Sequence, residues 1–291
     1  MYRNKYRLII PFLLPSLILY TTFVLYPYLR AMYISLTRWR GLAKPPEFIG
    51  FENFVKMAND ENFWNALGNN AFYLITLPFI TISLALFFAF LLTQGVRFGK
   101  FYRVTYFFPQ VMSVVAIGVL WSFVYHPTMG ILNALLQLGG VTEPPVWLGN
   151  PDTVLGAVGS VAIWQAVGFF MVLFIAGMES IPVSYYEAAM IDGASRWHIF
   201  WLITLPLLWE TVQTALVFSA IGAANMFAIT ATMTMGGPSR ASEVLATYLY
   251  DEAFLGSKFG YGTAIAVSLF LIVLILSQLL IRLTQREALE Y

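Results

Sequence analysis

Cysteine is absent from the 291 residues, and histidine occurs only as His126 and His198. The first absence removes any disulfide framework, thiol nucleophile or thiolate metal site, and the second leaves little material for a metal cluster. Charge is scarce too. Only 11% of residues are Asp, Glu, Lys or Arg, against roughly 25% in an ordinary soluble domain. With a net charge of +1 there is no clustered basic footprint of the kind that binds nucleic acid, so that class of partner is excluded.

What fills the space is oil. The chain is 59% hydrophobic and 17% aromatic, the composition of a membrane protein. A crossing helix needs about 20 apolar residues, and six stretches free of charge satisfy that: 8–29, 62–96, 104–142, 153–178, 211–239 and 259–281. Trimmed of polar loop residues, they predict six spans at roughly 9–29, 70–93, 104–125, 154–178, 203–226 and 262–283, in one all-α transmembrane domain over 1–291. The first run follows Arg3, Lys5 and Arg7 and lacks a small-residue cleavage site before Arg30, which reads as a retained anchor and not a signal peptide. Pro11, Pro15, Pro78 and Pro109 fall inside the spans. They are tolerated there because neighbouring helices re-satisfy freed backbone groups.

Six spans put both termini on one side. Arg3, Lys5 and Arg7, with Arg97, Lys100 and Arg103 after the second span, argue that this side is cytoplasmic, and the 126–152 loop carries no Lys or Arg. Arg30, Arg38, Arg40, Lys44 and Lys56 pull the other way, but their loop is long and such loops feel the rule less. This orientation makes the 182–206 connection cytoplasmic.

That connection holds "EAAMIDGASRWHIFWLITLP", Glu187–Pro206. Ser184 followed by Glu187 predicts a capping box, with a helix from about Tyr185. Asp192 and Gly193 predict its end, since glycine adopts positive φ cheaply. A second helix is expected near Ser195, carrying Trp197, Ile199 and Phe200 into the fifth span. Ala188, Ala189 and Ala194 keep the loop slim enough for close approach by another surface. On these residues alone, a turn resting among lipid headgroups remains an equal reading.

The spacing Glu187, Ala188, Ala189, Gly193 and Leu205–Pro206 resembles the EAA loop of the inner-membrane permeases of binding-protein-dependent ABC importers. Three further segments, in order, look like parts of the maltose-type sugar permeases, closest to their MalF-like member: "FIGFENFVKMANDENFWNALGNNAFY", "WQAVGFFMVLFIAGMESIP" and "TMGGPSRASEVLATYLYDEAFLGSKFGYGTA". The resemblance implies the type I ABC importer permease fold. It also implies that Tyr186, Glu187, Ala188, Ala189, Asp192 and Gly193 form a coupling helix docking on a cytoplasmic ATPase. The chain would then form half of a translocation pathway for a sugar or related polyol and would not itself be an enzyme.

No phosphate-binding loop is found. "GVRFGKF" (95–101) is one residue short between glycines and has Phe101 where a hydroxyl would hold magnesium, and "GYGTAI" (260–265) lacks the third glycine of a dinucleotide motif. ATP and Mg²⁺ would therefore sit on partner ATPase subunits, with no cofactor on this chain. One EAA-type loop and no internal repeat imply a second, MalG-like permease beside two ATPase copies, and the resemblance adds an extracytoplasmic solute-binding protein. Its candidate docking surfaces are the first loop, the 126–152 loop and Ser242–Phe254.

Intramembrane polar residues are the default pathway candidates. Asn225 and Gln165 qualify, and Trp121, Tyr125 and Trp164 could offer aromatic faces to a sugar ring; packing or interfacial roles are the plainer reading of each aromatic. Ala223 and Met226 stand where the maltose permease has polar groups, which argues against maltose itself. Glu210 would snorkel or pair with Arg196. An ion-driven carrier or channel working without an ATPase is the alternative, but it would want buried acids, bases or histidines in its spans. A membrane enzyme would want a nucleophile, base and orienter that cannot be assembled here.

Overall fold

The computed structural model describes residues 5–41 and 45–284, with side chains from residue 9. Arg3 and Lys44 lie outside the described residues, and the side chains of Lys5 and Arg7 with them. Helices dominate. Four are long and apolar enough to cross a membrane unaided: α1 (Ile9–Ser35), α3 (Glu61–Thr93), α7 (Pro151–Ser180) and α13 (Phe259–Thr284). All four match expected spans, extended at their ends by polar turns that a composition window trims away.

The third and fifth expected spans are not continuous. The third is α4 (Gly99–Val111) and α5 (Val114–Val124), bent by 101°, and the fifth is α9 (Arg196–Leu207) and α10 (Trp209–Ala224), bent by 70°. Each break has a local cause. In the first, Met112 and Ser113 are extended just beyond Pro109, whose ring lacks an N–H and crowds the preceding turn. In the second, Pro206 follows a π turn at Phe200–Thr204, where Leu205 N–H bonds Phe200 O. Such a turn absorbs the missing bond and re-aims the helix.

The contacts divide the described chain into two compact units. The first joins residues up to Phe63 with Tyr248–Phe270. It contains α1, a two-stranded hairpin of β1 (Thr37–Arg38) and β2 (Glu47–Phe48), α2 (Glu52–Ala58) and the beginning of α13. Asn53 pins the hairpin by donating to Ser35 O at 2.8 Å and Thr37 O at 2.9 Å. Asp60, between α2 and α3, accepts hydrogen bonds from the hydroxyls of Tyr248 and, at 2.5 Å, Tyr261. Lys56 lies 3.9 Å from the centre of the Tyr261 ring. Burial pushes the Asp60 carboxyl up, but hydrogen bonds from the two tyrosines and from the Asn62 and Phe63 backbone outweigh it and hold the group below its ordinary 3.8.

The second unit joins Trp64–Thr247 with residues from Leu271. Its core is built on α3, α7 and the α9–α10 bend, where Ile82, Ala89, Phe174, Met178, Phe200 and Leu208 are buried together. α4 packs against α7 so closely that a Cβ on Gly168 would lie 1.8 Å from Tyr106 O. Glycine is required where two backbones meet like this. Asparagines on the early turns of α3 tie down the 240–245 segment: Asn65 donates to Arg240 O at 2.8 Å, Asn69 to Glu243 O at 2.8 Å, and Asn70 accepts from Leu245 N–H at 2.7 Å. Of the expected docking segment Ser242–Phe254, residues 242–248 are therefore buried within the chain and only the later part is accessible. The 126–152 loop carries α6 (Ile131–Leu138), held by Asn133, which donates to Pro127 O at 3.0 Å and accepts from Trp147 Nε1 at 2.7 Å.

Candidate coupling loop and solute cavity

The loop after α7 folds as helix, bend, helix. α8 covers Val183–Ile191 and starts two residues earlier than the capping box would have it, with Pro182 at the N-cap and no side-chain cap. With Pro182 as N-cap, Ser184 and Glu187 fall at the second and fifth helical positions, inside the helix and out of register for the box. The C-terminal end behaves as expected. Gly193 takes φ +76°, its N–H bonds Met190 O at 3.1 Å, and Ala194 N–H bonds Ala189 O at 2.9 Å. This pair of bonds closes the helix as a Schellman motif. Ser195 then caps α9, accepting from the His198 backbone N–H.

The candidate coupling residues are thereby sorted by face. Ala189 is buried, Tyr186 is half-buried, and Glu187, Ala188, Asp192 and Gly193 are exposed. Met190 and Ile191, 59% and 86% exposed, form an apolar tip that the sequence reading passed over, although they stand in the middle of the quoted motif. α8 is anchored to the rest of its unit. Tyr186 lines a cavity of about 410 Å³ together with Gln94, Glu179 and Arg196, while Ile199 and Phe200 are buried beyond the bend. Arg103 donates to Glu179 at 2.8 Å, so the early turns of α4 and the end of α7 meet at the end of this unit that carries α8. The expected Glu210–Arg196 pair does not form: the ion pairs among the described residues engage other partners, and Glu210 is exposed.

A second cavity, about 530 Å³, lies within the helices of the same unit. It brings Gln165 and Asn225 together, as the pathway reading expects. Asn225 is the C-cap of α10, at the break before α11 (Phe227–Met233), and discontinuous helices are a common way to present polar groups at membrane depth. Three polar residues join them that the sequence reading had not selected: Thr81, Gln110 and Ser219. Gln110 was legible as a carboxamide in a charge-free run, next to Pro109. Trp121, Tyr125 and Trp164 do not line this cavity. They form their own cluster, with Trp121 5.4 Å from Trp164 and 5.3 Å from Tyr125 between ring centres, and the Tyr125 hydroxyl is engaged by Ser160 at 2.6 Å. That is the packing arrangement.

Among the described residues no group of three or more His, Asp or Glu is placed to hold a metal. Residues 75–287 match the family of binding-protein-dependent transport system inner membrane components. The chain is 35% identical to the diacetylchitobiose uptake system permease protein of Streptomyces coelicolor, over 95% of this chain and 82% of that one. It is 32% identical to the sn-glycerol-3-phosphate transport system permease protein of Agrobacterium fabrum, over 96% of both. Its fold is similar, with a TM-score of 0.81 at 22% identity over 98% of this chain and 96% of the other, to a chain in the crystal structure of a bacterial alginate ABC transporter in complex with an alginate pentasaccharide-bound periplasmic protein. The match leaves no ground for a carrier working alone or for an enzyme: with its membrane-spanning helices and paired broken spans, this chain belongs to the family of inner-membrane components of binding-protein-dependent transport systems.

Proposed function

We propose that the chain is the permease subunit of an ATP-driven importer for a sugar or related polyol, and that residues 182–206 couple it to a cytoplasmic ATPase. The observation that carries this reading is α8, closed at its C-terminal end by Gly193 and bearing an apolar tip, joined through a bend to a buried core. A rigid helix of this kind passes a push to the spans without deforming. The partners are a second permease forming the other half of the pathway, two ATPase copies holding ATP and Mg²⁺, and an extracytoplasmic solute-binding protein. The relatives named for diacetylchitobiose and for sn-glycerol-3-phosphate support a small hydroxylated solute.

In this scheme, closure of the ATPase pair draws two coupling helices together. α8 moves as a body, and the bend at Leu208, which is buried in the core against α7, tilts α10 so that the solute cavity changes the side to which it opens. Arg97, Lys100 and Arg103 lie on the α8 side, which supports placing that side and both termini in the cytoplasm. The test is co-purification of the chain with its ATPase for wild type, Gly193→Asp and Glu187→Ala, with ATP hydrolysis measured in liposomes. Hydrolysis should rise with liganded binding protein in wild type and uncouple in the loop variants. Solute movement indifferent to ATP and to both substitutions would sink the proposal.

A further inference from the structure

The first unit carries a basic pocket of about 230 Å³ that the importer reading does not use. Four cations, Arg38, Arg40, Lys56 and Lys258, line it with a single carboxylate, Glu52. Two of the four are committed. Arg38 pairs with Glu52 at 3.0 Å and lies 3.9 Å from Glu47, and Lys258 pairs with Glu252 at 2.8 Å. Arg40 and Lys56 form no ion pair among the described residues, and Lys56 instead meets the face of Tyr261. Asp60 and Glu61 share a neighbouring hollow with Lys56, but Asp60 is taken up by the two tyrosine hydroxyls. The walls are fixed by backbone. Gly260 N–H bonds Trp39 O at 3.1 Å, and a Cβ on Gly260 would lie 2.0 Å from Thr37 O, so α13 begins directly against β1. A preformed pocket with a guanidinium and an ammonium free of countercharge offers the donors that a phosphate's oxygens accept.

The place of the pocket in the fold restricts which phosphate. It lies where α1 ends and α13 begins, the ends of two spanning helices at one membrane boundary. The surface beside it is apolar. Phe48, Phe51, Val55, Phe254 and Leu255 are all exposed. The Trp39 ring, part of the pocket wall, contacts Phe259 at 5.3 Å between centres, and Phe259 contacts Phe254 at 5.7 Å, so the wall runs on into that apolar surface. A soluble anion gains nothing from such a rim, whereas a phospholipid uses both parts, cations for its phosphate and apolar side chains for its acyl chains. The pocket is also smaller than the roughly 300–1,000 Å³ of a small-molecule site, which suits a headgroup phosphate and not a whole solute. We infer that this pocket binds the headgroup of an anionic phospholipid, with Arg40 and Lys56 as its phosphate-binding residues. In the proposed orientation, the site gives a use to basic residues that the positive-inside rule disfavours beyond the first span.

The test is photolabelling of the purified full chain in neutral detergent by phosphatidylglycerol carrying a diazirine in its headgroup. Phosphatidylcholine with the same label serves for comparison, and adducts are mapped by mass spectrometry. Adducts should fall on residues 38–56 and 254–261, about tenfold more from phosphatidylglycerol than from phosphatidylcholine, and should weaken as ionic strength rises. Arg40→Gln combined with Lys56→Gln should cut them about tenfold or more at low salt, with an unchanged Tm as the check on folding. Arg40→Gln alone, a change at an exposed side chain, should cut them about fivefold and keeps the test open if the double variant does not fold. Equal labelling of these residues by the two lipids, or labelling that survives in the variants, overturns the inference. Loss of the adducts on adding millimolar inorganic phosphate also overturns it, because the pocket would then serve a soluble anion. A third result against it is full lipid labelling of variants whose assembly with the ATPase no longer answers to liganded binding protein, which would make the pocket a protein contact.

Discussion

The polar cluster around Asp60 in the first unit and the polar cavity of the second are built from opposite accounts of the hydrogen bond. Asp60 is fully engaged, its carboxylate receiving two tyrosine hydroxyls and backbone N–H groups. The cavity gathers three carboxamides and two hydroxyls around open space, with Thr81 and Ser219 buried and Gln110 and Asn225 exposed. A satisfied cluster contributes stability and specifies one arrangement. A cluster open to a cavity is completed by what enters it. The same residue types therefore have different jobs, and the hydrogen-bond accounting tells them apart.

Substitutions that remove one account while leaving the other should separate the two. The largest effect is expected from Asp60→Ala, which strands two tyrosine hydroxyls and should cost about 3 kcal/mol, read as a fall in Tm of the purified chain in detergent. The reverse result, an unchanged Tm, would mean the cluster is not structural. Next comes pH. The folded Asp60 carboxyl sits below its unfolded value, so its contribution is present above about pH 4 and disappears as pH falls through the lower folded value. Burial and the neighbouring Asp60 charge push the Tyr248 hydroxyl up; its contribution is present below about pH 10 and is lost as pH rises beyond that. Tm plotted against pH should show both flanks in wild type, with the acid flank flattened in Asp60→Asn.

Gly193→Ala sharpens the contrast from the loop. An alanine Cβ meets nothing within 4 Å there, yet the residue holds φ +76°, so the cost is backbone strain of about 1 kcal/mol. Stability should fall by that much, while coupling of ATP hydrolysis to liganded binding protein falls far more if the loop is the lever. The smallest effect is expected from Gln165→Leu. With no hydrogen bond to lose, it should leave stability within about 0.5 kcal/mol, measured by the same Tm assay, and a drop of 2 kcal/mol would show that the side chain is structural after all.

Much of the molecule is legible because a membrane reads composition. Four of the six expected spans are present as single long helices and the other two as bent helix pairs, since a charge-free run of sufficient length has few other places to go. The end of α8 at Gly193 and the start of α9 at Ser195 were equally plain, both being local devices of one turn. The start of α8 departs from expectation because Ser184 and Glu187 satisfy a local pattern, while the helix begins two residues earlier, just after Pro182. Trp121, Tyr125 and Trp164 offer chemistry that suits a sugar and suits tight packing just as well, and only the structure shows them clustered with one another away from the cavity.

Local sequence thus determined the placement of the apolar runs, the prolines that break two of them and the bend-forming chemistry of the 182–206 loop, all of which depend on neighbours a few residues apart. Tertiary structure alone decided that Asp60 meets Tyr248 and Tyr261 from far along the chain, and that Gln110 joins Gln165 and Asn225 around one cavity. Those outcomes depend on which helix faces meet, and helix faces carry no mark in a sequence that is apolar nearly all the way round.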